Sequence, residues 1–202
     1  MNKKVKKILF ITIIVIVLVG LGYLAVIKNA QNNAKHTIEN SLQALKTGKN
    51  IEEEINKFTG SNKDKTTDIA SNEEFSSKLF RDLNYEIQGS KGNLKEATIS
   101  IKISNRNAAK IFSVYIEGML KLSMENSFTN QIISQEELDK KIDEYFKENI
   151  KIDDIEIITN NVELKMENKD GKWMIKEESQ QNMINAILPG IKELAENMEK
   201  NQ

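Results

Sequence analysis

The sequence predicts an α+β domain behind an N-terminal transmembrane helix. Three observations carry this expectation. Residues 8–27 form one unbroken apolar run. Two stretches, residues 85–104 and 155–175, alternate apolar and polar side chains, as half-buried antiparallel strands do. Elsewhere apolar residues recur at helical spacing. Two separated hairpins with helices before, between and after them make a four-stranded antiparallel sheet covered by helices on one face.

The apolar run comes first. Twenty residues at about 1.5 Å each span roughly 30 Å, the hydrocarbon thickness of a bilayer. Fifteen of them are Ile, Leu, Val or Phe, and the others are Thr12, Gly20, Gly22, Tyr23 and Ala25. Those fifteen favour insertion by at most about 5–9 kcal/mol, and no charge opposes them. Lys3, Lys4, Lys6 and Lys7 precede the run. The excess of positive charge on the inner side then makes residues 1–7 a cytoplasmic basic segment. Residues 8–27 become a signal anchor, residues 28–33 a linker, and residues 34–200 an extracellular domain at the cell membrane. A cleavable secretory signal is the rival reading. Its apolar core is shorter and ends at small residues, whereas Lys28 sits two positions before Ala30, the nearest small site.

About 170 residues remain for one domain with a real core. The chain is formally −1; five lysines and no acid in residues 1–28 leave −6 on the rest. A mildly acidic domain argues against nucleic acid as a partner and against electrostatic docking on anionic lipid. Without Cys there is no disulfide framework, thiol chemistry, lipid-modified N-terminus or Cys-based metal site. The bias toward Ile, Lys and Asn with little Pro fits a low-GC Gram-positive source.

Ala34, Ile38, Leu42 and Leu45 mark a helix that Gly48 stops. Ile51, Ile55 and Phe58 mark a second, with Glu52, Glu53 and Glu54 complementing the dipole of its first turn. Residues 61–72 read as an exposed polar loop. Phe75, Leu79, Phe80 and Leu83 mark a third helix. Tyr85 and Ile87 begin a strand, a turn follows at residues 89–92, and Ala97, Ile99, Ile101 and Ile103 face inward on the return. A helix over about residues 107–126 carries Ala108, Ile111, Tyr115, Met119 and Leu122 on one stripe. Ser134-Gln-Glu-Glu137 is a capping box for a helix burying Leu138, Ile142, Tyr145 and Phe146. In the second hairpin Ile155, Ile157 and Thr159 alternate, then Val162, Leu164 and Met166. The change of phase at Asn160-Asn161 predicts a β-bulge. Asp170-Gly171 turns the chain, and Trp173 and Ile175 face inward. Ser179 can cap a last helix, which Pro189-Gly190 kinks or ends.

Several segments resemble a known group. The stretch from Ser41 to Asn50 (SLQALKTGKN) is similar to the opening helix and turn of small exported proteins with the nuclear transport factor 2-like, or cystatin-like, fold. Leu83-Asn-Tyr-Glu-Ile87 with the strand from Glu96 to Asn105 resembles their first hairpin. Val162–Met166 with the segment from Lys169 to Lys176 (KDGKWMIK) resembles their last. The likeness covers roughly residues 35–190 and is nearest to Firmicutes lipoproteins and membrane-anchored proteins of unassigned function. It implies a cone-shaped sheet and a domain at the outer membrane face. Many relatives are tethered through a lipid-modified Cys, which this chain lacks. Enzymes of the wider fold carry an Asp/His or paired-acid set in the cone, and no such set maps here.

The candidate chemistry is sparse. His36, the single histidine, has no companion for a triad or a metal site and reads as a surface residue. The acidic clusters at residues 52–54, 136–139 and 153–154 read as helix caps and turns, since a calcium loop needs alternating oxygen ligands and a glycine. Trp173 is either a core residue after a hairpin turn or the wall of a ligand cavity. Tyr85, Tyr115, Met119, Met166 and Trp173 either line a pocket or fill the core, and core filling is preferred. No catalytic residue, metal site or cofactor is expected. The expected function is a non-catalytic binding or scaffolding module, meeting a second copy or an envelope protein through the sheet face. The competing expectation is a small-ligand pocket protein, or a weak hydrolase or isomerase using the cone.

Overall fold

A computed structural model describes residues 3–59, 73–129 and 134–200; for residues 3–17, 59, 73–74, 126–129 and 135 it describes the backbone alone. The loop expected at residues 61–72 lies outside the described residues. The chain runs α1 (Lys3–Lys46), α2 (Ile51–Thr59), α3 (Glu73–Phe80), β1 (Asn84–Gly92), β2 (Glu96–Arg106), α4 (Ala108–Thr129), α5 (Gln135–Asn149), β3 (Ile157–Lys169), β4 (Lys172–Ile175), α6 (Glu177–Ile187) and α7 (Ile191–Lys200). The strands form one antiparallel sheet in the order β1-β2-β3-β4. Helices α1, α2, α3 and α6 pack on the sheet, α4 pairs with α5, and α7 leans on α4. This is the expected α+β architecture.

α1 is one helix of 44 residues. Residues 28–33, expected as a linker, are helical and continue it without a break. No Gly or Pro stands between Tyr23 and Thr47, so nothing interrupts the hydrogen-bond ladder. Ala30, Ala34, Ile38, Leu42 and Leu45 are buried at successive turns. Gly48 ends the helix in the left-handed region at φ 72°, and the Lys49 N–H donates back to Ala44 O at 2.9 Å. Among the described residues no helix is long and apolar enough to cross a membrane. Residues 8–17, half of the expected span, have side chains outside the described residues.

β2 is the middle of the core. Ala97, Ile99, Ile101 and Ile103 are all buried, and Leu164 and Met166 of β3 lie opposite Ile99 and Ala97 on the same face. Trp173 and Ile175 extend that face across β4. Thr98, Ser100, Lys102 and Ser104 point to the other face, which no helix among the described residues covers.

Three local expectations need correction. The turn expected at residues 89–92 lies at residues 93–95. β1 runs through Gly92, and its pairing with β2 slips between Ile87 and Gly89, so this glycine accompanies a bulge. Asn93 makes the turn: its Oδ1 accepts from Lys95 N at 2.8 Å and Glu96 N at 3.0 Å. Gly92 closes it at φ 150°, where a Cβ would stand 2.2 Å from Glu96 O. The bulge expected at Asn160-Asn161 is absent. The β2–β3 ladder is uninterrupted from Glu96↔Glu167 to Arg106↔Ile157. Ile157 and Thr159 therefore face the open side, and Asn160 takes the inward position. Ser179 does not cap α6. It is buried inside the first turns, and its hydroxyl accepts from Lys165 N at 3.0 Å, beside the last β3–β4 pairs. The other punctuation behaves as expected. Asp170 and Gly171 take φ 52° and 83° in a two-residue hairpin turn. Ser134 accepts from Glu137 N at 3.2 Å, and Pro189-Gly190 separates α6 from α7.

Fully buried Asn105 ties the layers together. Its Nδ2 donates to Leu79 O at 3.1 Å and to Ile187 O at 2.7 Å, two carbonyls in the last turns of α3 and α6. Helix ends leave such carbonyls without partners in their own helix. Replacing Asn105 with Ala orphans both in an apolar setting. The expected loss is about 2–4 kcal/mol, read as a lower urea midpoint for the chain in mild detergent.

Candidate functional site

The five residues weighed as pocket lining or core are dispersed. Tyr85 is half-buried on β1, its hydroxyl donating to Glu39 O on α1 at 3.3 Å. Tyr115 is buried in an aromatic cluster with Phe75 and Phe146, at centroid distances of 4.6 and 6.0 Å. Met119 is half-buried on α4, one turn further along. Met166 and Trp173 line one cleft of about 90 Å³, shared with Ile38, Ser41, Lys57 and Phe58. Ligand pockets usually exceed about 300 Å³.

The charged residues are organised structurally. Glu52, Glu53 and Glu54 lie in the first turn of α2, and the buried Glu54 accepts from Lys57 Nζ at 2.7 Å. His36 is exposed, its Nδ1 2.9 Å from Glu39 Oε2. Among the described residues no group of three or more His, Cys, Asp or Glu could hold a metal ion.

The chain's two arginines converge on two aspartates. Arg106 donates from Nε to Asp82 and from Nη1 to the carbonyls of Asp153, at 3.1 Å, and Ile155, at 2.6 Å. Arg81 pairs with Asp82 and Asp153. Burial pushes the Asp82 carboxyl up, but hydrogen bonds from Arg106 and Arg81 outweigh it and hold the group below its ordinary value. The network clamps the short 3₁₀ turn Ile152–Asp154, after α5, to the junction of α3 and β1. Asp153 thus has a structural role. The isoleucine pattern around it gave no sign of one, but the confinement of Arg to two positions in a Lys-rich chain was a usable signal.

A larger concavity than that cleft lies elsewhere, at the end of the sheet where β2 finishes and β3 starts. It holds about 470 Å³ between the start of α4, the end of α6 and the start of α7. Ile158, Pro189 and Leu194 supply apolar lining, and Asn107, Asn160 and Asn185 supply carboxamides. The sequence reading missed this groove, because it placed Ile157 rather than Ile158 on the inner face.

At the groove's edge Asn107 Nδ2 donates to Glu156 Oε1 at 2.8 Å, and Lys110 Nζ reaches Glu156 Oε2 at 2.5 Å. Those bonds pull the Glu156 carboxyl down to about 2. A carboxylate depressed in the folded state stabilises fully above its ordinary value near 4.5, and that contribution is lost as pH falls through about 2. The midpoint of unfolding should drop across this window, and Glu156→Gln should lower it at neutral pH and flatten the drop, so that variant and parent converge near pH 2.

Comparison with protein-family models, curated proteins and solved structures finds no match to this chain.

Proposed function

We propose that this chain is a membrane-anchored, extracellular, non-catalytic binding or scaffolding module of the cell envelope. One observation carries the reading. Leu18, Val19, Leu21, Leu24 and Val26 are more than half exposed on a helix that runs unbroken into the core. At about 100° per residue they point in all directions around the axis. One protein surface covers one stripe of a helix, whereas lipid covers every side. The uninterrupted apolar run that precedes them extends the same character toward the N-terminus.

The likeness to the nuclear transport factor 2-like fold belongs to this proposal, and a four-stranded sheet with helices on one face is compatible with it. The uncovered sheet face carries Thr98, Ser100, Lys102, Ser104, Thr159 and Glu163, with Ser104 and Thr159 hydroxyls 2.8 Å apart. Such a surface suits a polar, reversible partner better than an obligate dimer, whose interface would be more apolar. The groove of about 470 Å³ favours a second reading, a carrier of a small polar ligand, because its size and mixed lining are those of ligand sites.

Alkaline carbonate treatment of membranes tests the anchor. The full chain should stay in the pellet, and protease added outside intact cells should remove the domain and leave an N-terminal fragment. Release into the supernatant would sink the reading. Native mass spectrometry of the full chain in detergent separates the two roles, since retained small-molecule mass on a monomer favours the groove.

A further inference from the structure

The helix that would leave the membrane is fixed to one particular end of the sheet. Gln31 Nε2 donates to Gly92 O at 3.0 Å. Gln31 follows the last residue of the apolar run by four positions, about 6 Å along the helix. Gly92 is the last residue of β1, so the turn at residues 93–95 lies at the exit of the apolar helix. The second turn, Asp170-Gly171, lies beside it, because Asn168 N donates to Lys95 O at 2.7 Å. The groove sits at the opposite end, roughly 30 Å away along β2 at about 3.3 Å per residue.

This end has a charge unlike the rest of the domain. Lys169 pairs with Glu167 and Lys176 with Glu96, both at 2.6 Å, and Lys91 lies 3.6 Å from Glu163. Lys28, Lys95 and Lys172 have no acidic partner among the described residues, and the Asp170 carboxylate sits in the second turn beside Lys172. Between Lys91 and Lys95 the Asn93 turn presents Leu94, which is 40% exposed. A large apolar side chain at a turn apex, beside the unpaired Lys95, is suited to a headgroup layer, where aliphatic groups enter and ammonium groups meet phosphate.

We propose that the two hairpin turns dock on the membrane from which α1 emerges, with Leu94 entering the interface and Lys28, Lys95 and Lys172 contacting anionic lipid headgroups. This rests on the membrane-anchor reading above. It also revises the expectation, drawn from the net charge of the domain, that anionic lipid is not a partner. Near an anionic surface each net positive charge multiplies the docked population about fivefold, so a net two give roughly thirtyfold.

The absence of Cys makes the test direct. Leu94→Cys and, at the other end of the sheet, Ile157→Cys each carry one environment-sensitive nitrobenzoxadiazole fluorophore. The full chain is reconstituted into vesicles of phosphatidylcholine alone or with phosphatidylglycerol added. The label at position 94 should shift to the blue and brighten several-fold only with phosphatidylglycerol, and the label at 157 should not respond. Lys95→Glu with Lys172→Glu should abolish the response without changing resistance to carbonate. A label at 94 that stays in water, or responds equally in both lipids, in a carbonate-resistant chain overturns the docking while leaving the anchor standing. A response in native membranes but not in protein-free vesicles assigns the surface to a protein and overturns it too. Extraction by carbonate overturns the anchor, and the docking with it.

Discussion

The carboxamide of Asn105 is the constraint around which the two layers are arranged. Three segments distant in sequence end at one side chain: the last turn of α3, the central strand and the last turn of α6. Each helix arrives with carbonyls that its own ladder cannot satisfy, and a buried amide is a compact double donor for them. Its oxygen is occupied as well, accepting from Arg106 N at 2.9 Å. A hydrocarbon side chain would pack there but would leave two carbonyls dry. The next residue, Arg106, performs the same kind of service for the carbonyls of Asp153 and Ile155, and so holds the approach to β3. Two adjacent polar residues at the end of β2 thus position most of the connections at that end of the sheet, and the groove is what those connections enclose.

Much of this arrangement was legible. The alternation along β2 is nearly perfect, and its inward positions predict its buried face. Asp170-Gly171 and Pro189-Gly190 restrict the backbone so strongly that packing has little room to override them. Ser134 with Glu137 identifies a helix start by side-chain chemistry alone. The failures share a cause, which is competition between local signals and pairing. Two glycines near residue 90 suggest a turn, but a strand accommodates one in a bulge and the other at its last residue. Asn160 and Asn161 suggest a break, yet eleven consecutive pairs with β2 hold the strand straight and turn Asn160 inward. Ser179 has the chemistry of a cap, but a strand amide at Lys165 takes its hydroxyl first. Asn105 had a signal that went unused: it continues the inward series from Ile103, so its burial follows from the period of two.

The five candidate lining residues are dispersed for a different reason. Tyr85, Tyr115, Met119, Met166 and Trp173 each occupy the inner side of an element, as their spacing implies. Facing inward does not bring residues together. Tyr115 belongs to the aromatic cluster between α3, α4 and α5, whereas Trp173 lies beneath α1 and α2 at the far edge of the sheet. Sequence periodicity fixes a face and leaves the position along the layer open. The concavity that did form lies where element ends meet, and its lining comes mostly from turns and first helical positions.

The unbroken path of α1 makes the apolar segment and the domain one mechanical piece. A flexible tether would let the domain turn freely relative to that segment; a continuous helix transmits both height and azimuth. Adding one residue between Lys28 and Ala30 would raise the domain by about 1.5 Å and rotate it by about 100° about the helix axis. The phase of the helix therefore acts as a compass bearing, deciding which edge of the sheet lies above which side of the apolar segment.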